Sequence, residues 1–429
     1  MLLENNYKLK LEKQSQPETA LNVIFIITMF CGFFINVLHF PSAIKYTIDL
    51  LLIFLFALSV VNLQGKRVFF STEAKILIGW VLLFFFFTAV VYVVRYRSVL
   101  YYLWGLRNNF RLYMLFFYCI LFFDKKNISS ILKFVDVFFW VNTCLCIIQY
   151  LLFGLKGDHL GGFFGTEKGC NGYLNIFLVL VITKTVVFYL NKKENFWICV
   201  SKCGCSLLLA TLAELKFFFI AFILIVLSGV LISDFSFRKL SIVIFGIIVV
   251  VVFATLLVHI FPYFSNFLTF DFLLGASSEG GYASSEQLNR LTTIPILSEK
   301  ILTTAPLKWF GLGLGNCDTS SFDFLRTPFY DNYMHLRYNW FSTSFLFLET
   351  GFFGLIFFFG FFIAVIILCF FMLRKQKNEK EYCQMAIIAA MCCIVIGIYN
   401  SSLRTEAGFI IYFMLAFPFI VQKRAVLHE

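Results

Sequence analysis

Long apolar runs separated by short polar loops make up most of the chain. Twelve such runs can be traced between residues 21 and 421, and several are rich in Phe, Ile, Leu and Val over their whole length. A helix needs about 20 apolar residues to cross the hydrocarbon core of a membrane. A membrane β-barrel would show short segments of alternating apolar and polar residues instead. The pattern therefore predicts an all-α polytopic membrane protein with about 12 transmembrane helices.

One long polar segment divides the predicted spans into two groups. Nine spans fall within residues 21–262 and three within 341–422, which leaves a large loop at 263–340 and short tails at 1–20 and 423–429. Inside the loop, Ser284 and Gln287 form a capping-box pattern that predicts the start of a helix. This helix would carry Arg290 and be kinked near Pro295. The tenth apolar run, 341–373, is too long for one straight crossing and predicts a bent or interfacial first turn.

The composition supports the membrane class. Hydrophobic residues make up 60% of the chain and charged residues only 14%, and the mean hydropathy is +0.87. A soluble domain carries about 25% charged residues. The net charge of +11 would suggest nucleic-acid binding in a soluble protein, but here the lysines lie in short loops between apolar runs. That placement is typical of residues that set membrane topology, so we expect no nucleic-acid partner.

The lysine-rich loops predict the orientation of the chain. They all fall on one side of the predicted spans, at residues 8–13, 66–75, 125–126, 192–193, 238–239, 374–380 and 423–424. Loops that carry Lys and Arg stay in the cytoplasm. We therefore expect both termini in the cytoplasm and the 263–340 loop on the outer side of the membrane.

Arginine follows the opposite distribution. Eight of the twelve arginines fall on the predicted outer side: Arg95, Arg97, Arg107, Arg111, Arg290, Arg326, Arg337 and Arg404. Capping of helix ends and pairing with outer acids would explain any one of them. Topology does not explain all eight, because each opposes the usual charge bias. A guanidinium presents two parallel donors to a phosphate or carboxylate, so the group predicts an anion-binding site on the outer side.

Two further residues carry candidate chemistry. Glu349 lies inside the tenth apolar run, where a carboxylate is costly and marks a cavity, a reaction or an ion pair with an outer arginine or with Lys216. His335 lies in a polar stretch just before that run, and histidine is a common general base. Cys170 and Cys317 are the two cysteines in predicted outer loops, and a disulfide between them stays open.

Some motifs are absent from the sequence. It contains no phosphate-binding P-loop and no Asp-x-Asp or clustered His/Asp set for a divalent metal. ATP-driven transport and metal-dependent transfer both lose support, and we expect neither a metal nor a cofactor.

Four segments, taken in order, resemble the O-antigen ligase and polymerase superfamily of bacterial surface-glycan assembly. They are a Gly/Asn-containing loop before a span, a basic position that opens a later span, an Arg-helix-Pro-Gly-x-Gly pattern and a Glu-x-Gly-x-x-Gly pattern, at 161–171, 214–220, 290–316 and 349–354. Ligases of this family often carry a His-Asn pair shortly before that glutamate. The chain instead has Asn339 and Trp340 there, with His335 further upstream, which favours a polymerase.

The resemblance implies a GT-C-like, metal-independent glycosyltransferase in the bacterial inner membrane. Such an enzyme transfers a glycan from undecaprenyl diphosphate to the non-reducing end of another lipid-linked repeat unit at the outer face. The resemblance places Arg290 and Lys216 at the diphosphate, with Arg107 or Arg111 assisting. His335 or Glu349 would then lie near the acceptor hydroxyl. A flippase and a chain-length regulator are the implied protein partners.

Arg337 and Arg404, two further arginines of the predicted outer side, are also candidates for diphosphate or glycan binding in either kind of glycosyltransferase.

Three interpretations of the function remain open: a polymerase, a ligase and a transporter. A ligase would use the same chemistry but pass the finished glycan to lipid A core or to a protein. A transporter or flippase of lipid-linked oligosaccharide should instead show paired halves with discontinuous helices and ionisable groups near mid-membrane. The chain shows no evident halves, so the polymerase is the leading prediction.

Overall fold

The computed structural model describes residues 15–65, 70–234, 237–260, 287–290, 292–320, 322–375 and 379–422. The described residues form α-helices, short 3₁₀-helices and connecting turns, with no strand among them. The predicted all-α class is therefore confirmed for this part of the chain. Ser284, which we predicted to begin a helix, lies outside the described residues.

Nine long helices precede the polar loop. They are α1 (Gln16–Asn36), α2 (Tyr46–Gly65), α3 (Thr72–Val94), α4 (Val99–Phe122), α5 (Lys125–Phe153), α6 (Asn171–Leu190), α7 (Phe196–Leu212), α8 (Lys216–Ile232) and α9 (Phe237–Ile260). Three short helices follow, α10 (Thr293–Lys300), α11 (Ala305–Phe310) and α12 (Pro328–Tyr333), and three long ones close the chain, α13 (Ser342–Lys375), α14 (Lys380–Tyr399) and α15 (Gly408–Gln422).

Seven of these helices are long and apolar enough to cross a membrane: α1, α2, α3, α5, α6, α13 and α14. Three others, α7, α8 and α15, are apolar but have only 15 to 17 residues. Several apolar helices of this length are what a multi-pass membrane protein requires. The count of twelve spans stays a prediction.

The borders of α5 show how the sequence sets a helix. The Asp124 side chain accepts hydrogen bonds from the backbone N–H groups of Lys126 and Asn127, and the Asn127 side chain accepts one from the Asp124 N–H. This capping box satisfies donors that have no partner in the first turn. Gly154 ends the helix in the left-handed conformation, with φ of 64°.

The centre of the bundle is α15, in which every residue from 408 to 420 is buried. It packs against α4, α6 and α14. At 1.5 Å per residue its length is about 22 Å, less than the ~30 Å of a bilayer core. Because protein surrounds it, α15 does not need to match the thickness of the lipid. By contrast, α2 and α3 expose large apolar side chains such as Leu50 and Phe86, as lipid-facing helices do.

The described part of the polar loop differs from its prediction. Arg290 lies in a turn before α10, whereas we predicted it on a helix kinked at Pro295. Pro295 instead occupies the first turn of α10. The first backbone N–H groups of a helix have no acceptor inside it, so a proline there removes no hydrogen bond. The helix therefore begins near the proline instead of running through it.

The tenth apolar run is bent, but the break lies inside α13 and not in its first turn, where it was predicted. α13 is interrupted at Gly351, whose φ of 64° and ψ of −160° are not helical. A Cβ at this position would lie 2.4 Å from the backbone carbon of Trp309 at the end of α11. Glycine is therefore required both for the backbone conformation and for the close approach of α11.

Candidate anion-binding site

Several of the predicted site residues lie at one end of the bundle. We call it the arginine end: the end at which α14 finishes and α15 starts, and where Arg107, Arg111, Arg290 and Arg404 lie. These arginines come from α4, from the turn before α10 and from the turn between α14 and α15. Arg107, Arg111 and Arg404 pair with acids, Arg111 also donates to the Arg404 carbonyl at 2.9 Å, and Arg290 donates to the carbonyl of Tyr399.

Arg107 is paired with an acid of a neighbouring helix. Its Nη2 lies 2.5 Å from Asp49 Oδ2, and its Nε donates to the same oxygen at 3.1 Å. The guanidinium carbon lies 4.8 Å from the Trp104 ring centroid and 5.3 Å from that of Tyr46. Two donors on one oxygen and two aromatic faces hold this guanidinium between α2 and α4.

Arg111 is almost fully buried one turn further along α4. Its side chain is 4% exposed, and its Nη1 lies 3.0 Å from Glu406 Oε1 and 3.9 Å from Asp49 Oδ1. The Tyr173 hydroxyl donates to Glu406 Oε2 at 2.6 Å. Burial alone raises the pKa of Glu406, but Arg111 and Tyr173 outweigh it and lower this pKa to about 2. Glu406 is thus a permanent anion that neutralises Arg111.

Arg404 and Asp318 form a second buried pair. Asp318 Oδ2 lies 3.5 Å from Arg404 Nη2 and accepts a 2.7 Å hydrogen bond from Asn108 Nδ2. The Arg404 guanidinium carbon lies 3.4 Å from the Phe345 ring centroid. Burial raises the pKa of Asp318 although Arg404 and Asn108 favour its charged form. Arg404 Nη1 is buried and has no hydrogen-bond partner among the described residues.

Glu349 is fully enclosed and contacts the backbone of the polar loop. Its Oε1 accepts hydrogen bonds from the N–H groups of Gly315 at 3.0 Å and Cys317 at 3.4 Å. Its Oε2 is buried without a hydrogen-bond partner in the described ranges, where Glu349 also forms no ion pair. In this structure the carboxylate organises the loop at 311–317; a role at an acceptor hydroxyl stays a prediction.

The glycine-rich turn at 311–315 is held by close approaches. The N–H groups of Leu312 and Gly313 donate to the carbonyls of Leu348 and Glu349 at 2.8 and 2.9 Å. Gly315 has a φ of 81°, and a Cβ there would lie 1.8 Å from the Tyr101 carbonyl oxygen in α4. Two of the segments that resemble the glycan-assembly family, 311–316 and 349–354, therefore pack directly on each other.

Arg290 and Lys216 come together from positions far apart in the sequence. Arg290 Nε donates to the Tyr399 carbonyl at 2.9 Å, and its guanidinium carbon lies 3.8 Å from the Tyr399 ring centroid. Lys216, the first residue of α8, lies close enough that the two positive charges oppose each other. The carboxylates of Asp158 and Glu214 also act on Lys216, and they stabilise its positive charge.

His335 and Arg337 are exposed on the surface of the loop. The His335 ring lies 6.4 Å from that of Tyr333, and the Arg337 guanidinium lies 5.2 Å from the Trp340 ring. Within the described residues, neither side chain forms a hydrogen bond or ion pair with the other predicted site residues. Their segment is still tied to the arginine end, because the Leu288 N–H donates to the Leu336 carbonyl at 3.0 Å.

The sequence analysis did not identify Asp49, Glu406, Tyr173 or Asp318 as residues of this site. Asp49 could have been found by the signal that identified Glu349, an acid inside an apolar run. Cys170 and Cys317 are both free thiols, and burial raises the pKa of Cys170 to about 12. In the described part of the chain, no three His, Cys, Asp or Glu side chains group as a metal site requires.

Comparison of the chain with models of protein families, with curated proteins and with solved structures found no match.

Proposed function

We propose that the protein is a metal-independent membrane glycosyltransferase of the polysaccharide-polymerase type. It transfers a glycan from undecaprenyl diphosphate to the non-reducing end of another lipid-linked repeat unit. In this proposal the twelve long helices cross the bacterial inner membrane in a GT-C-like arrangement, with both termini in the cytoplasm. The arginine end then faces outwards, and a flippase and a chain-length regulator are the protein partners.

The juxtaposition of Arg290 and Lys216 carries the proposal. Arg290 and Lys216 act on each other as like charges, and an anion bound between them would reduce that repulsion. A lipid diphosphate has two adjacent phosphates and enters from the membrane, where α8 begins and α14 ends. The resemblance to the glycan-assembly family implies the same pair at the diphosphate.

The reaction needs charge stabilisation more than covalent chemistry. The acceptor hydroxyl attacks the anomeric carbon, the bond from that carbon to the diphosphate oxygen breaks, and the hydroxyl proton passes to a base. Arg290 and Lys216 would stabilise the negative charge that develops on the leaving diphosphate, as preorganised donors do. His335 is exposed and can accept the proton, whereas the enclosed Glu349 would first have to be uncovered.

The direct test deletes the gene in its native host and restores it with single variants. Arg290→Ala should collapse the surface-glycan ladder on a gel to one repeat unit while the protein remains in the membrane. Arg290→Lys keeps the charge but not the two-pronged geometry, so we expect it to give a shortened ladder. Arg326→Ala is the matched control, because Arg326 lies in the same loop and pairs with Asp331 at the surface.

The other outcomes separate the alternatives. Loss of all surface glycan with accumulation of long lipid-linked polymer would identify a ligase. Accumulation of single lipid-linked units on the cytoplasmic side would identify a flippase. An unchanged ladder in Arg290→Ala would refute the proposed site.

A further inference from the structure

A cavity of about 120 Å³ opens at the arginine end, between the end of α1 and the loop before α6. Its lining includes Cys31, Asn36, Lys45, Lys168 and Tyr173. A site of this volume holds several water molecules, so a phosphate group fits into it. Lys45 and Lys168 are separate from the acid-paired arginines and from the Arg290–Lys216 pair described above.

Close backbone packing fixes the wall of this cavity. A Cβ at Gly32 would lie 1.9 Å from the Phe164 carbonyl oxygen, so only glycine lets the loop rest against α1. Gly165, with φ of 113°, would place a Cβ 2.2 Å from Asn36 Oδ1. That oxygen already accepts a 3.1 Å hydrogen bond from the Thr166 N–H, so the remaining polar group of the Asn36 amide is its donor nitrogen.

The charges around the cavity favour an anion. Lys45 and Lys168 form no ion pair within the described ranges, and the lining contains one carboxylate there, Glu167. Behind the cavity, Tyr173 donates to Glu406, whose negative charge is balanced by Arg111 and also acts on Lys45. Two lysines, one amide donor and one acid give the site a net positive charge and leave donors for oxyanion binding.

We propose that this cavity is a second anion site, which binds the phosphate group of a lipid-borne ligand independently of Arg290 and Lys216. Its assignment to the accepting lipid-linked unit rests on the proposed function, which requires two lipid diphosphates at once. The binding of the phosphate itself does not rest on that function.

The test measures ligand affinity with the full chain in nanodiscs of neutral phospholipid. The parent is the Arg290→Ala variant, which removes the first site, and the probes are farnesyl diphosphate and inorganic diphosphate. We expect the parent to keep binding farnesyl diphosphate, and the added changes Lys45→Gln and Lys168→Gln to weaken it by about tenfold or more. Lys300→Gln, an exposed lysine of α10, is the control and should leave the affinity unchanged.

Each outcome bears on the proposal. Binding of farnesyl diphosphate much above inorganic diphosphate supports a lipid-borne ligand, and equal binding overturns that part in favour of free phosphate. Competition by added phosphatidylglycerol would make the source a bulk phospholipid headgroup and overturn the assignment to the accepting unit. Loss of all binding in Arg290→Ala, or full binding after the two lysine changes, overturns the second site. An unchanged glycan ladder in Arg290→Ala with this binding intact would refute the role of Arg290 in the proposed function and leave the second anion site standing.

Discussion

At the opposite end of the bundle, which we call the lysine end, Lys184 and Lys202 are buried between Asp136 and Glu194. Lys202 is 2% exposed and contacts both acids, while Lys184 pairs with Asp136. At the arginine end, Arg111 is buried in a comparable way between Glu406 and Asp49. Each end therefore has a neutralised, buried cluster that ties helices together.

The two ends differ in the surroundings of their other cations. At the lysine end further lysines are also paired, Lys193 with Glu381 and Lys380 with Asp234. At the arginine end, Arg290 and Lys216 oppose each other. Lys45 and Lys168 line a cavity and form no ion pair among the described residues. Paired charges tie helices together at both ends, and the anion binding that we propose is assigned to the Arg290–Lys216 pair and to the two lysines of the cavity.

The largest expected effect concerns the glycine-rich turn at 311–315. It distinguishes a steric clash at the arginine end from the strain of a positive φ alone. In Gly315→Ala the new methyl group would clash with the Tyr101 carbonyl oxygen, so we expect no folded protein to accumulate in the membrane. Gly154→Ala is the matched control, since its φ of 64° is also positive but nothing lies within 4 Å of the added Cβ. It should cost only about 1–2 kcal/mol. Equal membrane levels of the two variants would contradict the close packing of the glycine-rich turn.

A second prediction compares the two buried clusters directly. Arg111→Ala and Lys202→Ala each leave a buried carboxylate without its cation, which costs about 3–5 kcal/mol. Denaturant unfolding of purified protein in micelles should show similar losses at the two ends. A loss below about 1 kcal/mol at either end would mean that the cluster is solvated and does not hold the helices.

A third, smaller effect concerns Glu349. Glu349→Ala removes the acceptor for the Gly315 and Cys317 N–H groups, and we expect a loss of about 1–3 kcal/mol in the free energy of unfolding. Glu349→Gln keeps an acceptor oxygen and should stay close to the parent. If Glu349→Gln were fully stable but inactive, the carboxylate would have a role beyond organising the loop.

The smallest effect is expected at the surface. Arg326 and Asp331 are 43% and 49% exposed, so Arg326→Ala should change stability by about 0–1 kcal/mol. The same unfolding measurement provides the baseline for the buried clusters. A loss as large as that of Arg111→Ala would erase the distinction between buried and exposed pairs.

Helix placement could be predicted from the sequence because it depends on local periodicity. The three helices predicted within 341–422 are found as α13, α14 and α15, and the length of its apolar run indicated that α13 is not straight, although not where it bends. The position of Arg290 was wrong because a proline can start a helix as well as kink one. Local pattern alone did not distinguish these two uses.

The contacts of the site could not be predicted in the same way. Arg111 and Glu406 are 295 residues apart, and Asn108 and Asp318 are 210 apart. No local pattern encodes which acid meets which arginine across such separations. The sequence indicated that most arginines fall on one side, and the fold determines which of them are neutralised.

The most direct test of this account measures the surface-glycan ladder in Arg290→Ala and Lys202→Ala cells at matched membrane levels of the two proteins. We predict that Arg290→Ala leaves a single repeat unit, whereas Lys202→Ala retains the full ladder, because the proposed function assigns diphosphate binding to the arginine end and leaves the lysine end a role in helix packing. A full ladder in Arg290→Ala, or a ladder lost only in Lys202→Ala, would contradict the assignment of chemistry to the arginine end.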